Sequence, residues 1–118
     1  MTDESRISTQ YDQAGTLVAR IEAALAALGS SPGAVTTEEL APLDEFHIGG
    51  RAASEHLLDR LGLGPETRAL DVGSGLGGAA RFAAQRYGAH VTGIDLTPDF
   101  VATGEALTGW TGLGDRVV

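Results

Sequence analysis

The chain has 118 residues, 42% of them hydrophobic and 20% charged, which is enough for one small packed domain and too few for two. Net charge is −8, from 16 acids against 8 bases, and every base is an arginine standing apart from the others, so there is no basic footprint for a nucleic-acid backbone. Cysteine is absent, which excludes a disulfide framework and a thiolate metal site.

The first residues, MTDESRISTQ, are polar and acidic and lack the charged-then-apolar pattern of a secretory signal. From Tyr11 to Leu28 apolar residues recur at helical spacing (Leu17, Ile21, Leu25, Leu28) with alanines between them, predicting an amphipathic helix that Gly29 ends. Thr36 followed three residues on by Glu39 fits a capping box, so a short helix is expected to Leu40, broken by Pro42. Residues 43–50 read as irregular. A further helix is expected from Arg51 to Leu61, with Ala53, Leu57, Leu58 and Leu61 on one face and Gly62 closing it.

The period then changes. Arg68–Val72 is compatible with a buried strand, Gly73–Gly78 with a glycine-rich turn, Ala79–Tyr87 with a helix stopped by Gly88, and His90–Ile94 with a second strand. Thr97 and Pro98 read as an N-cap and first helical residue of a helix running to about Trp110, and Val117-Val118 as the start of a third strand. Strands alternating with helices mean a parallel sheet with helices on its faces, so the fold class is α/β, the N-terminal part of a doubly wound Rossmann-like sheet preceded by a helical segment. The expected division is a helical lid or cap over residues 1–66 and an incomplete α/β unit over 67–118. No apolar run approaches the ~20 residues of a membrane span, and the expected location is cytoplasmic.

A parallel strand that feeds a helix through glycines is a cofactor cradle, because the backbone turns tightly and admits a ligand where no Cβ intervenes. Gly73, Gly75 and Gly78 fit the dinucleotide pattern G-x-G-x-x-G, and Gly73, Gly75 and Gly77 fit G-x-G-x-G; the turn alone does not choose. Asp95 closes the second strand, where a carboxylate accepts hydrogen bonds from ribose hydroxyls, and this suits any adenosine cofactor. Asp71 discriminates. It lies two residues before the first glycine, where an acid would oppose a pyrophosphate but suit a sulfonium and an ammonium. The plainer readings are that Asp71 ties down the loop through backbone N–H groups and that Asp95 complements the next helix dipole.

Leu70–Gly78 (LDVGSGLGG) resembles the first motif of class I S-adenosylmethionine-dependent methyltransferases, and Val91–Pro98 (VTGIDLTP) resembles their acidic second-strand motif. QYDQAG near the N-terminus and Asp44–Ala53 (DEFHIGGRAA) are similar to the lid region of a small-molecule subgroup, the glycine, sarcosine and dimethylglycine methyltransferase-like proteins. The resemblance covers Tyr11 to Val118. It implies S-adenosyl-L-methionine as cofactor and a small-molecule methyl acceptor. It also implies that Gly73, Ser74 and Gly75 contact the methionyl part through backbone groups, that Asp71 orients the loop and favours the amino group, that Asp95 binds the ribose and that Leu96 packs on adenine. Tyr11 and Gly50 would close over the cofactor from the lid.

His47, beside Phe46 and two glycines, is the one candidate for a base, and a lid residue bonded to backbone is the plainer reading. His56 is expected at a helix surface and His90 at a sheet edge; scattered as they are, the three histidines suggest no metal site. No catalytic residue is assigned. The family's later strands are not represented, so strand one, expected at the centre of the sheet, would keep an unpaired edge and expose apolar side chains, favouring self-association or a complementing chain. The expectation is therefore a cofactor-binding half. The alternatives are an NAD-type Rossmann half and a truncated, non-catalytic remnant or partner subunit.

Overall fold

The computed structural model describes residues 17–44 and 50–118. In chain order it contains helix α1 (17–27), α2 (Thr37–Asp44), α3 (Gly50–Leu58), strand β1 (Arg68–Val72), α4 (Gly78–Tyr87), β2 (His90–Ile94) and α5 (Pro98–Trp110).

β1 and β2 pair in parallel, with Arg68 opposite His90 and Val72 opposite Ile94. On the other side of β2, Val117 bridges Val91 in parallel; the Val91 N–H donates to the Arg116 carbonyl at 2.8 Å and the Val118 N–H to the Val91 carbonyl at 3.0 Å. The third strand therefore begins where expected, and β2 lies between it and β1. Among the described residues β1 has no partner on its far edge.

One face of this sheet is covered. Ala80, Ala83 and Ala84 of α4 pack with Ala89, Val91 and Val117, joined by Ala69, Leu58 and Leu63. Alanines on this face let the helix lie close to the strands. A second cluster joins Ile21 and Leu25 of α1, Val35, Leu40 of α2 and Leu107 of α5, with Leu17, Leu76 and Trp110 at its rim. Leu40 and Leu107 are fully buried, each contributing about 1.5–3 kcal/mol by leaving water. This cluster packs the preceding helices against α5, next to the glycine turn.

The local signals hold with corrections at the boundaries. Thr36 and Glu39 form the reciprocal capping box, the Glu39 N–H donating to Thr36 Oγ1 at 3.2 Å and the Thr36 N–H to Glu39 Oε2 at 3.0 Å. Pro42 does not break α2 but lies inside it. Its fixed φ is helical, and its missing N–H forfeits only one bond of a short helix. Leu28 is not on the buried stripe of α1; it lies in the turn after the helix, 77% exposed. α3 stops at Leu58 rather than Leu61, because the chain tightens there, the Arg60 N–H reaching back to Leu57 and the Leu61 N–H to Leu58. Its inward face carries Ser54 and Leu58, while Leu57 and Leu61 are exposed. Gly50, placed with the irregular stretch by sequence, is the first residue of α3, and Gly78 is the first of α4.

β1 is not the buried strand its composition suggests. Leu70 and Val72 are 62% and 73% exposed, and Ile94 beside them in β2 is exposed too. All three lie on the face away from α4. The end of α4 is fastened to the turn after α3 by Arg86 Nε on Asp59 Oδ1 at 3.1 Å and by the Tyr87 hydroxyl donating to the same carboxylate.

Candidate functional site

The glycine turn begins where β1 ends. The N–H groups of Gly73 and Ser74 both donate to the Ile94 carbonyl, at 2.8 and 2.9 Å, so the turn is seated on the tip of β2. Gly93 makes that seat possible: a Cβ there would lie 2.9 Å from Cβ and Oγ of Ser74. The Gly77 N–H closes the turn on the Ser74 carbonyl at 2.9 Å, and α4 starts at the next residue. Positive φ angles of 72°, 58° and 85° occur at Gly73, Gly75 and Gly77, whereas Gly78 is helical. The residues that need glycine for their backbone are therefore those of G-x-G-x-G.

Asp95 ties the turn to the next helix. Its Oδ2 accepts the Gly75 N–H at 2.9 Å and its Oδ1 the Thr97 N–H at 2.9 Å. These two bonds, that from Thr97 first, hold its carboxyl below the usual carboxylate range. Each oxygen keeps a further lone pair for a hydroxyl donor. Thr97 stands at the N-cap of α5 and Pro98 follows it, as the sequence indicates, but the cap contact is made by Asp95 rather than by the Thr97 side chain. Leu96 is fully exposed beside Asp95 and offers a flat apolar surface.

Asp71 stands opposite Gly93 in the sheet register, half-buried, and burial pushes its carboxyl up. Among the described residues no hydrogen bond reaches it, so the loop-tying role falls to Asp95. A carboxylate in this state gains from an incoming cation. The backbone points the same way. The N–H groups of Gly73, Ser74, Gly75 and Gly77 are all spent inside the chain, while the carbonyls of Gly73 and Gly75 accept nothing among the described residues. The turn thus presents two open acceptors and a nearby acid, a set that matches a donor-bearing cationic group.

Beneath the turn a cavity of 330 Å³ opens between α5 and the strand ends, lined by Gly75, Gly77, Ala80, Val101, Thr108 and Val117 among others. Asp71, Asp95 and Leu96 do not line it. The structure thus gathers Asp71, Gly73, Ser74, Gly75, Asp95 and Leu96 around the strand tips. Gly50 is not among the residues that line the cavity; it sits at the head of α3 with φ 54°. Tyr11 and His47 lie outside the described residues. His56 falls in the last turn of α3; His90 is not at a sheet edge but opens β2, the middle strand, where its Nε2 lies 3.2 Å from Arg116 Nη1.

Sequence reading missed Arg81. This arginine, in the first turn of α4, is fully buried, and its Nη1 donates to the Leu76 carbonyl at 2.7 Å. The available signal was a cation at a helix N-terminus, where the dipole disfavours it, flanked by Ala79, Ala80 and Phe82.

The model of the family "Mycolic acid cyclopropane synthetase" matches residues 39–117, more than half of the chain and all of the turn, both strands and α5. The chain belongs to this family. A glycine/sarcosine/dimethylglycine N-methyltransferase of Actinopolyspora halophila is 38% identical over 56 residues, which is 48% of this chain and 10% of that protein. Phosphoethanolamine N-methyltransferase 1 of Zea mays is 40% identical over 53 residues, 45% of this chain and 11% of that one. The crystal structure of a SAM-dependent methyltransferase from Geobacter sulfurreducens in complex with S-adenosyl-L-homocysteine superimposes with a TM-score of 0.54 at 35% identity, covering 58% of this chain and 27% of that chain. The chain spans about a tenth of the length of these two curated relatives. Its α/β character and the methyltransferase resemblance of its two sheet motifs are thereby shown.

Proposed function

We propose that this chain is the S-adenosyl-L-methionine-binding part of a methyltransferase acting on a small molecule. The observation that carries the reading is the donor–acceptor balance of the turn: the N–H groups of Gly73, Ser74, Gly75 and Gly77 are spent, the carbonyls of Gly73 and Gly75 are open among the described residues, and a half-buried acid stands two residues before Gly73. The cofactor's ammonium and sulfonium fit that balance. A dinucleotide pyrophosphate draws on donors and is repelled by an acid at this place, and four of the turn's N–H groups are already taken. The positive φ angles at Gly73, Gly75 and Gly77 support the same choice.

In this reading Gly73, Ser74 and Gly75 line the methionyl end, Asp71 favours the amino group, Asp95 accepts the ribose hydroxyls with its remaining lone pairs, and Leu96 covers adenine. Tyr11 and Gly50 belong to a lid carried by residues 1–66, closing on the α/β unit of 67–118. When bound, S-adenosylmethionine supplies a methyl group activated on a sulfonium sulfur. The residues of this chain bind and align; that holds reacting atoms at near-attack distance, which is the main demand of the transfer. The methyl acceptor is a small molecule, in keeping with the amine acceptors named for the relatives.

No helix of the described residues is long and apolar enough to cross a membrane, and we place the chain in the cytoplasm. The open β1 edge and the exposed Leu70 and Val72 support self-association or a complementing chain. Calorimetric titration with S-adenosylhomocysteine and, in parallel, NAD tests the cofactor. Saturable heat with the first alone is the expected result; saturable heat with NAD alone refutes the reading.

A further inference from the structure

Two independent features converge on one backbone oxygen. The Leu76 carbonyl, in the middle of the glycine turn, accepts Arg81 Nη1 at 2.7 Å. The same Nη1 lies 3.2 Å from the Gly104 carbonyl and 3.3 Å from Thr108 Oγ1, both on α5. Gly104 meets the turn directly as well: a Cβ built there would lie 2.9 Å from the Leu76 oxygen and 3.2 Å from its carbon. Because these are backbone atoms, no side-chain rotation relieves the contact. Gly77 leaves room for the guanidinium, since a Cβ at that position would stand 3.0 Å from Arg81 Nη1.

A buried guanidinium is retained at a cost of desolvation that only hydrogen-bonded acceptors offset. Among the described residues the acceptors of Nη1 belong to the turn and to α5. The result is a clasp that presses the turn onto the helix, with Asp95 forming a second fastening through the Gly75 N–H. The two fastenings lie on either side of the Gly75 carbonyl, which accepts no hydrogen bond among the described residues. We propose that Arg81, with Gly104, is a positioning residue: it fixes the Leu76 peptide against α5 and so holds the Gly73–Gly77 carbonyls in the geometry that receives the cofactor. This rests on the cofactor reading above.

The test uses the whole chain, uniformly labelled with nitrogen-15, and four variants: Arg81→Met, Arg81→Lys, Gly104→Ala and, as a control at the opposite end of α4, Asp59→Asn, which removes the charge that Arg86 meets. Amide hydrogen exchange is read at Gly75 and Gly77 relative to Val91 in β2, at a temperature where circular dichroism matches wild type. S-adenosylhomocysteine affinity is measured on the same samples. Arg81→Met and Gly104→Ala are expected to raise turn exchange relative to Val91 by about tenfold and to weaken the ligand by a similar factor, as the loss of a charged hydrogen bond implies. Arg81→Lys, which retains one charged donor, is expected to recover part of both. Asp59→Asn is expected to leave the turn-to-Val91 ratio and the affinity unchanged.

Unchanged turn exchange in Arg81→Met and Gly104→Ala, or a loss of affinity matched by Asp59→Asn, overturns the proposal. Failure of the wild-type chain to bind S-adenosylhomocysteine overturns the cofactor reading, and with it the assignment to cofactor positioning. Binding by wild type with Arg81→Met unaffected overturns the clasp alone.

Discussion

Asp71 and Asp95 are carboxylates in opposite states, and their variants are expected to move in opposite directions. Asp95 accepts two backbone N–H groups and is held low. Its contribution to stability is present above the ordinary carboxylate range and is lost as pH falls through its lowered value. Asp95→Asn is therefore expected to melt earlier than wild type at neutral pH, the gap closing in acid, and to weaken S-adenosylhomocysteine by roughly ten- to a hundredfold. A pH series of melts and one titration check both. Asp71 is raised by burial. A raised acid means the folded state holds its proton longer, so stability falls as pH rises from the ordinary carboxylate range through the higher value. Asp71→Asn is accordingly expected to melt later than wild type at neutral pH without ligand, yet to bind S-adenosylhomocysteine less tightly. A variant both less stable and fully competent in binding would contradict the assignment.

At the scale of elements, the turn and the helix ends rest on glycines in the left-handed region. Gly75 has φ 58° and Gly88, which caps α4, has φ 73°. Alanine at either position costs about 1–2 kcal/mol of backbone strain. Gly75→Ala and Gly88→Ala are expected to lower the melting temperature comparably, but only Gly75→Ala weakens ligand binding, because only Gly75 lies in the cradle. Melts and titrations on the pair separate strain from function. The strand–turn–helix order was legible in the sequence because period and glycine placement change together at Arg68. Both strands run as the alternation indicates, and the capping box at Thr36 and Glu39 forms as read. The misjudged features were tertiary. Leu28 and Leu61 continue an apolar pattern past the last α-helical residue into a tighter turn, and nothing local shows that they leave the stripe. Arg81 reads as a surface charge until α5 folds over it.

At the scale of the molecule, among the described residues, helices cover one face of the sheet and leave the other bare. Leu70, Val72 and Ile94 form an exposed apolar strip along β1 and β2, next to an unpaired edge of β1 among the described residues. Such a strip favours association. Leu70→Lys with Val72→Glu is expected to shift the chain toward monomer in sedimentation velocity; an unchanged distribution would rule out this face as the contact. The strip was foreseeable in the sequence only through the resemblance, since Leu70 and Val72 look like core by composition. The central claim is that this chain receives S-adenosylmethionine at the Gly73–Gly77 turn. The most direct measurement is a thermal melt of the chain alone, with saturating S-adenosylhomocysteine and with saturating NAD. A ligand that binds only the folded state at about a hundred times its Kd adds about 2.7 kcal/mol of stability. The account predicts a cooperative melt shifted upward by S-adenosylhomocysteine and not by NAD. A shift with NAD alone, or a cooperative melt indifferent to both, would contradict it.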